Sequence, residues 1–194
     1  MKIISGIYKG RNLLGHDLKG TRPTMDRVKE SLFAMIQFEI NDSIILDLFA
    51  GSGNLGIECL SMNAKKAYFV DYNKKATETI KNNLKNIQIE SEKYKILNLD
   101  YIKSLKYCEE NNLLFNIIFL DPPYKTDYIE KSINIITKYN LLHNNGLVIC
   151  ESDDLKKIIY DEEKYLEIKS KKYGDKYIVI LKKKWYNLNH KVSL

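Results

Sequence analysis

Asp47-Leu48-Phe49-Ala50-Gly51-Ser52-Gly53-Asn54-Leu55-Gly56 is the stretch on which the reading of this chain turns. It continues the apolar run Ile44-Ile45-Leu46 and leads into Asn54–Met62, where Leu55, Cys59 and Leu60 share one helical face. A strand that passes through two glycines into a helix makes a tight turn at the carboxyl end of a sheet, where backbone can approach a ligand closely. Gly51, Gly53 and Gly56 also satisfy the GxGxxG dinucleotide pattern, and Asp71 stands 20 residues beyond Gly51, in the place of a ribose-binding acid. Taken alone, the stretch suits a nicotinamide dinucleotide as well as other adenosine cofactors.

Outward from this turn, strand-length apolar runs alternate with helical segments. The strands are predicted at Ile44–Leu48, Ala67–Val70, Tyr94–Leu97, Ile117–Leu120 and Leu147–Cys150, and the helices near Asn54–Met62, Lys74–Asn86, Asp100–Cys108 and Ile129–Tyr139. Strands apolar on both faces and separated by helices imply a parallel sheet covered on both sides. Tyr165–Lys171 and Lys176–Lys182, flanking Gly174-Asp175, read as an antiparallel hairpin. The expected architecture is a Rossmann-like α/β fold with a seven-stranded, mostly parallel sheet ending in an antiparallel hairpin, the plan of S-adenosylmethionine-dependent methyltransferases. The pattern leaves strand order open. Ahead of it, Met1–Thr24 reads as a small strand-and-turn unit, followed by a helix with Thr24 as N-cap, Asp26 in its first turn and Val28, Leu32, Met35 and Ile36 on one face. The division is an extension over 1–40, a catalytic domain over 41–184 and a tail over 185–194.

Two features favour a methyl donor over a dinucleotide. Asp47 precedes the first glycine by four residues, where a carboxylate would oppose a pyrophosphate but suit an ammonium group. Asp100 ends the third strand run, where it can accept a hydrogen bond from an adenine amine. Asp47, Asp71 and Asp100 then line successive strand ends, for the amino-acid moiety, the ribose and the base. Capping and turn formation explain any one of these acids, but three in register poorly.

Asp121-Pro122-Pro123-Tyr124 leaves the fourth strand run beside this crevice. An exocyclic base amine is a poor nucleophile, because its lone pair is delocalised into the ring. A carboxylate (Asp121) and a backbone carbonyl (Pro122) that accept its two N–H bonds fix the amine and favour its pyramidalisation toward a methyl group. The consecutive prolines restrict this backbone and remove two competing donors, and Tyr124 offers a face on which an extruded base can stack.

Composition removes other classes. With 194 residues, 44% of them hydrophobic, the chain is one domain with a core, not a disordered polymer. Leu113–Leu120, its longest nearly apolar run, is interrupted by Asn116 and too short to span a bilayer, and the first residues lack a secretory apolar stretch. Cys59, Cys108 and Cys150 show no CxxC spacing, so neither a disulfide framework nor a zinc site is suggested. His16, His143 and His190 have no triad context, and Lys182-Lys183-Lys184-Trp185 reads as a solvated basic terminus. A cytoplasmic protein is expected. The formal charge of +6 is compatible with nucleic acid, and all three arginines, Arg11, Arg22 and Arg27, fall in the first thirty residues, where a planar guanidinium suits phosphate.

The motifs Asp47–Gly53 and Asp121–Tyr124, together with Ile3-Ile4-Ser5-Gly6-x-Tyr8-Lys9-Gly10-Arg11 and Thr21–Phe33, resemble the RsmD family of bacterial 16S rRNA guanine-N2 methyltransferases. The resemblance spans roughly residues 2 to 182. It implies methyl transfer from S-adenosylmethionine to the N2 amine of one guanine of 16S rRNA, in the 30S subunit or a late assembly intermediate, by a monomer without metal or membrane. Asp121, Pro122 and Tyr124 would be catalytic. Thr24, Asp47, Phe49, Gly51, Ser52, Gly53, Asp71, Tyr72, Asp100 and Asp121 would bind the cofactor, and Tyr8, Lys9, Arg11, Arg22 and Arg27 the RNA. Glu151-Ser152 matches the family pattern at the rim of the site. The same DPPY motif leaves DNA adenine-N6 methylation as an alternative, though no separate target-recognition domain is evident. A non-catalytic rRNA-binding assembly factor is a third reading, disfavoured because every group the chemistry asks for is present.

Overall fold

Pro23 sits one residue inside the first helix, α1 (Arg22–Ile40), where its fixed φ is already helical and its missing N–H is not needed. The helix therefore starts ahead of Thr24, which lies in the first turn and not at the cap expected for it. The structure is a computed structural model describing residues 1–15, 22–123 and 127–185, with backbone alone for 22–26.

After α1 the chain alternates: β1 (Ile44–Asp47), α2 (Asn54–Ser61), β2 (Lys66–Val70), α3 (Lys74–Asn86), β3 (Tyr94–Leu97), α4 (Tyr101–Glu110), β4 (Phe115–Leu120), α5 (Tyr128–Lys138), β5 (Leu142–Ser152), β6 (Tyr165–Tyr173) and β7 (Lys176–Lys183). All seven strands join one sheet in the order β3-β2-β1-β4-β5-β7-β6. The first five are parallel, and β7 runs antiparallel to both β5 and β6. The order reverses between β1 and β4, so the crevice of this doubly wound sheet opens there, beyond the carboxyl ends of the strands.

Alternate residues of the same strands serve two cores. Ile45, Ala67, Phe69, Ile117, Phe119, Ile149, Ile178 and Ile180 pack with Phe33, Ile36 and Ile40 of α1, Ile57 and Leu60 of α2, and Ile80 and Leu84 of α3. Leu46, Val70, Ile118, Leu120, Val148, Val179 and Leu181 pack with Leu105 of α4 and Ile129, Ile133 and Ile136 of α5. The two-sided burial inferred from the unbroken apolar runs is what the period-2 alternation of a sandwiched sheet produces.

The amino-terminal segment is less regular than the expected strand-and-turn unit. Its two arms form an isolated antiparallel bridge, Lys2 with Asn12, and are joined by backbone bonds from Leu13 N–H to Met1 (2.8 Å), Ile3 N–H to Arg11 (3.0 Å) and Gly10 N–H to Ile3 (2.8 Å). Other polar groups of the segment bond to α2: Ile4 N–H to Glu58 Oε1 (2.8 Å), Ile7 N–H to the Ser61 carbonyl (2.8 Å), and Tyr8 N–H to Ser61 Oγ (3.0 Å). Ser61 Oγ donates in turn to the Ser5 carbonyl (2.5 Å). The two arms thus pair with each other and dock on the flank of α2, while Ile3 and Leu13 enter the core shared with α1 and α2.

Candidate functional site

Register brings the acids together. Asp47, the last residue of β1, pairs with Phe69 of β2 and Phe119 of β4. Asp71 and Asp121 thus stand two residues further along the neighbouring strands, flanking Asp47. Leu120 pairs with Cys150, which sets Asp121 level with Glu151 on β5. The bends that follow are tied across the sheet: Leu48 N–H to the Phe119 carbonyl (3.2 Å), Ala50 N–H to Val70 (2.9 Å), Asp71 N–H to Leu97 (3.2 Å).

Asp47 is 2% exposed, and one carboxylate oxygen accepts from Gly56 N–H at 3.1 Å. Burial pushes its pKa up to about 7; the Gly56 hydrogen bond opposes the shift and the charge of Asp71 adds to it. A buried carboxylate that is costly to ionise marks a place where a cation would be bound favourably. Gly51 and Gly53 both have left-handed backbone, φ 54° and 80°, and space is open where a Gly51 side chain would project. Asp71 holds this bend, since its two oxygens accept from Gly51 N–H (2.9 Å) and Asn73 N–H (2.8 Å). Asp100 caps α4 by accepting from Lys103 N–H (3.0 Å) and lies 3.6 Å from the Lys103 ammonium. Capping and ligand binding are compatible, because each carboxylate oxygen has two lone pairs.

Phe49 belongs to an aromatic wall. Its ring stacks on Tyr128 (centroids 6.0 Å, planes 7° apart) and lies 5.6 Å from Tyr101, which is 4.8 Å from Tyr128. Tyr101 and Tyr128 open α4 and α5, each directly after an aspartate; that position is the signal by which sequence reasoning could have added them. Ser52 is buried, and its carbonyl accepts from Asn83 Nδ2 (3.0 Å). Tyr72 is 75% exposed.

Asp121 lies on the strand next to Asp47, half-buried and followed by buried Pro122 and exposed Pro123. Its pKa is raised well above the carboxylate range, by burial first and then by the charge of Glu151, against the pull of Lys176. Lys176, the first residue of β7, forms an ion pair with Glu151. The pair escaped sequence reasoning because it joins residues 25 apart in the chain through a register that no local pattern encodes. Tyr124 lies outside the described residues, as do the side chains of Arg22 and Thr24.

The other expected RNA contacts belong to the amino-terminal segment and α1. Arg11 donates to the Ile87 carbonyl at the end of α3 (2.9 Å) and sits 5.3 Å from the Tyr8 ring centre. Lys9 and Arg27 are exposed. Two polar clusters absent from the expectations connect this amino-terminal region to the glycine bend. Lys29 Nζ, buried, pairs with Glu58 (2.7 Å) and donates to the Lys2 carbonyl (2.6 Å) and to Asn54 Oδ1 (2.9 Å). Asn83 accepts from Leu14 N–H (2.8 Å) and donates to the Leu14 carbonyl (3.1 Å) as well as to Ser52. Among the described residues no group of three His, Cys, Asp or Glu is placed to hold a metal ion, and no helix is long and apolar enough to cross a membrane.

The family model described as Conserved hypothetical protein 95 matches residues 1–182. The chain is 38% identical over 162 residues to ribosomal RNA small subunit methyltransferase D of Haemophilus influenzae, covering 84% of this chain and 83% of that protein. It is 40% identical over 153 residues to the putative rRNA methyltransferase YlbH of Bacillus subtilis, covering 79% and 83%. Among solved structures it is similar to the putative methyltransferase yhhF from Escherichia coli, with a TM-score of 0.82 and 28% identity over 95% of this chain and 98% of that one.

Proposed function

The chain belongs to the Conserved hypothetical protein 95 family, that of the RsmD methyltransferases, and from this premise we propose that it methylates the exocyclic N2 amine of a guanine in 16S rRNA with S-adenosylmethionine. The observation that carries the reading is the meeting, on adjacent strand ends, of a buried carboxylate beside a glycine bend (Asp47) and a second carboxylate opening a Pro-Pro turn (Asp121).

The residues present fit the cofactor. Asp47 offers a desolvated carboxylate to its ammonium group, Gly51 leaves open space beside the bend, Asp71 and Asp100 have acceptor capacity for ribose hydroxyls and an adenine amine, and Phe49 contributes an apolar wall. When bound, the cofactor supplies an electrophilic methyl group on a sulfonium. The chain's own part is to hold the nucleophile. Asp121 and the Pro122 carbonyl accept the two N–H bonds of the amine, which orients its lone pair and stabilises the positive charge that develops on nitrogen. The amine loses its proton only as the new C–N bond forms, so Asp121 acts chiefly as an electrostatic acceptor and receives a proton that has already become acidic. Tyr124 is assigned the stacking role. Thr24, Ser52, Gly53 and Tyr72 are assigned to the cofactor, and Tyr8, Lys9, Arg11, Arg22 and Arg27 to RNA. In this reading residues 1–40 close over the cofactor and touch RNA, 41–184 carry the chemistry, and 185–194 form a tail. The substrate is the 30S particle or a late assembly intermediate, met in the cytoplasm by a monomer that needs no metal.

The test is incubation with unmethylated 30S particles and labelled S-adenosylmethionine, followed by nucleoside mass spectrometry. N2-methylguanosine is expected from the wild type, with Asp121→Ala reduced at least about 100-fold while isothermal titration shows cofactor affinity largely retained. N6-methyladenine in DNA, or no methyl transfer to any substrate, overturns the assignment.

A further inference from the structure

Because β7 runs antiparallel to β5, it begins where β5 ends: Ile178 pairs with Glu151 and Tyr177 with Ser152. The β6–β7 turn therefore overhangs the same end of the sheet as Asp121, one ion pair away through Lys176 and Glu151. This tip carries two lysine–tyrosine pairs, one on each face. Lys171 lies 4.9 Å from the ring centre of Tyr173, and Lys172 lies 5.2 Å from that of Tyr177. Lys171 stands opposite Ile178, on the α1 side of the sheet; Lys172 stands opposite Tyr177, on the other side.

An edge strand needs lysines to discourage pairing with another chain, and β6 is exposed on both faces from Leu166 to Lys172. That need accounts for charge anywhere along the strand. It does not account for lysines set against aromatic rings at the catalytic end, nor for the anchoring of one ring: Tyr173 Oη donates to Ser31 Oγ of α1 (2.5 Å), and Lys171 Nζ reaches the same oxygen (3.2 Å). Ammonium groups beside flat faces match a chain of phosphates and bases. The ammonium binds backbone with release of counterions, and the ring accepts a base without regard to its identity.

We propose that the β6–β7 tip is a contact for single-stranded RNA flanking the target base, with Lys171 and Lys172 on phosphates and Tyr177 as the stacking face, while Tyr173, packed on the α1-side core, holds Lys171 in place. The proposal rests on the RNA-methyltransferase reading. It adds a contact to those assigned to the amino-terminal extension, which the tip meets at Ser31 of α1.

The experiment measures binding of unmethylated 30S particles across a salt series for the wild type, Lys171→Ala/Lys172→Ala, Lys172→Ala alone and Lys66→Ala. Lys66 is a matched control: it lies 5.7 Å from the Tyr68 ring centre, but at the amino end of β2, opposite Ile44. Each tip lysine removed is expected to lower the slope of log affinity against log salt by about 0.7. KM for particles should rise with kcat nearly unchanged, and S-adenosylmethionine affinity should hold. Lys66→Ala should leave the slope where it was. Since Lys171 also bonds Ser31, the single Lys172→Ala variant keeps the test valid if the double variant folds poorly. A wild-type slope in the lysine variants, or an equal loss in Lys66→Ala, overturns the proposal. Binding without any methyl transfer by the wild type would instead overturn the enzymatic reading, leaving the tip's role in binding to be judged by the slopes alone.

Discussion

Asp121 is placed where ionisation is expensive, and its neighbours set how expensive. Burial and the negative charge of Glu151 raise its pKa, while Lys176 pulls it down. Only the ionised form accepts its amine N–H bond without presenting a competing proton, so methyl transfer should decline as pH falls through this titration. The sign for each neighbour follows. Glu151→Gln removes a like charge and moves the acid limb of the kcat–pH profile to lower pH. Lys176→Ala removes the opposing cation and moves it to higher pH. Asp47 faces the same group from β1 and also raises its pKa, so it must stay intact in both variants. Coincident profiles for wild type and variants would show that these charges do not reach the reacting amine.

At the scale of elements, the chain was legible wherever a boundary has a local cause. α3 falls on the expected Lys74–Asn86 because Asn73 caps it, accepting from Lys75 N–H (2.9 Å). β3 falls on Tyr94–Leu97, and the hairpin turns at Gly174-Asp175 as its residues require. Asp47 and Asp121 stand out because glycine and proline punctuate the strand ends there, and Asp71 because it lies 20 residues beyond Gly51. What local pattern could not supply was the choice of partner. Asn83 reads as an ordinary polar residue of α3, yet it is buried and joins Leu14 to the Ser52 carbonyl of the glycine bend. Asn83→Ala should therefore cost about 1–3 kcal/mol through backbone groups left unpaired and weaken S-adenosylmethionine binding as well, read by urea melts and calorimetry on the same preparation. Stability lost with cofactor affinity retained would mean that the bend does not depend on this amide.

For the whole molecule, the buried Lys29–Glu58 pair joins three parts of the chain. It fastens α1 to α2, and through the Lys2 carbonyl and Ile4 N–H it holds the amino terminus. Glu58 Oε2 is buried without a hydrogen-bond partner among the described residues, and burial raises the pKa of this acid although Lys29 opposes the shift. Removing the cation leaves a buried carboxylate alone, so Lys29→Met should destabilise the protein by about 3–5 kcal/mol near neutral pH. The penalty of an acid whose folded-state pKa is raised is absent below its unfolded value, grows as pH climbs from there, and is complete above the folded value. The gap between variant and wild type should therefore be smaller at acid pH than at pH 8, by urea midpoints. A gap independent of pH would point to lost packing alone.

The anchoring of the first fifteen residues also has a consequence for biosynthesis. Their hydrogen-bond partners outside the segment run from Lys29 through Glu58, Ser61 and Asn83 to Ile87. Because all of these partners lie downstream in the chain, the segment emerges from the ribosome before its dock has been translated. Until α2 and α3 have emerged and folded, Ile3 and Leu13 are apolar residues without a core, a window of exposed hydrophobic surface during synthesis.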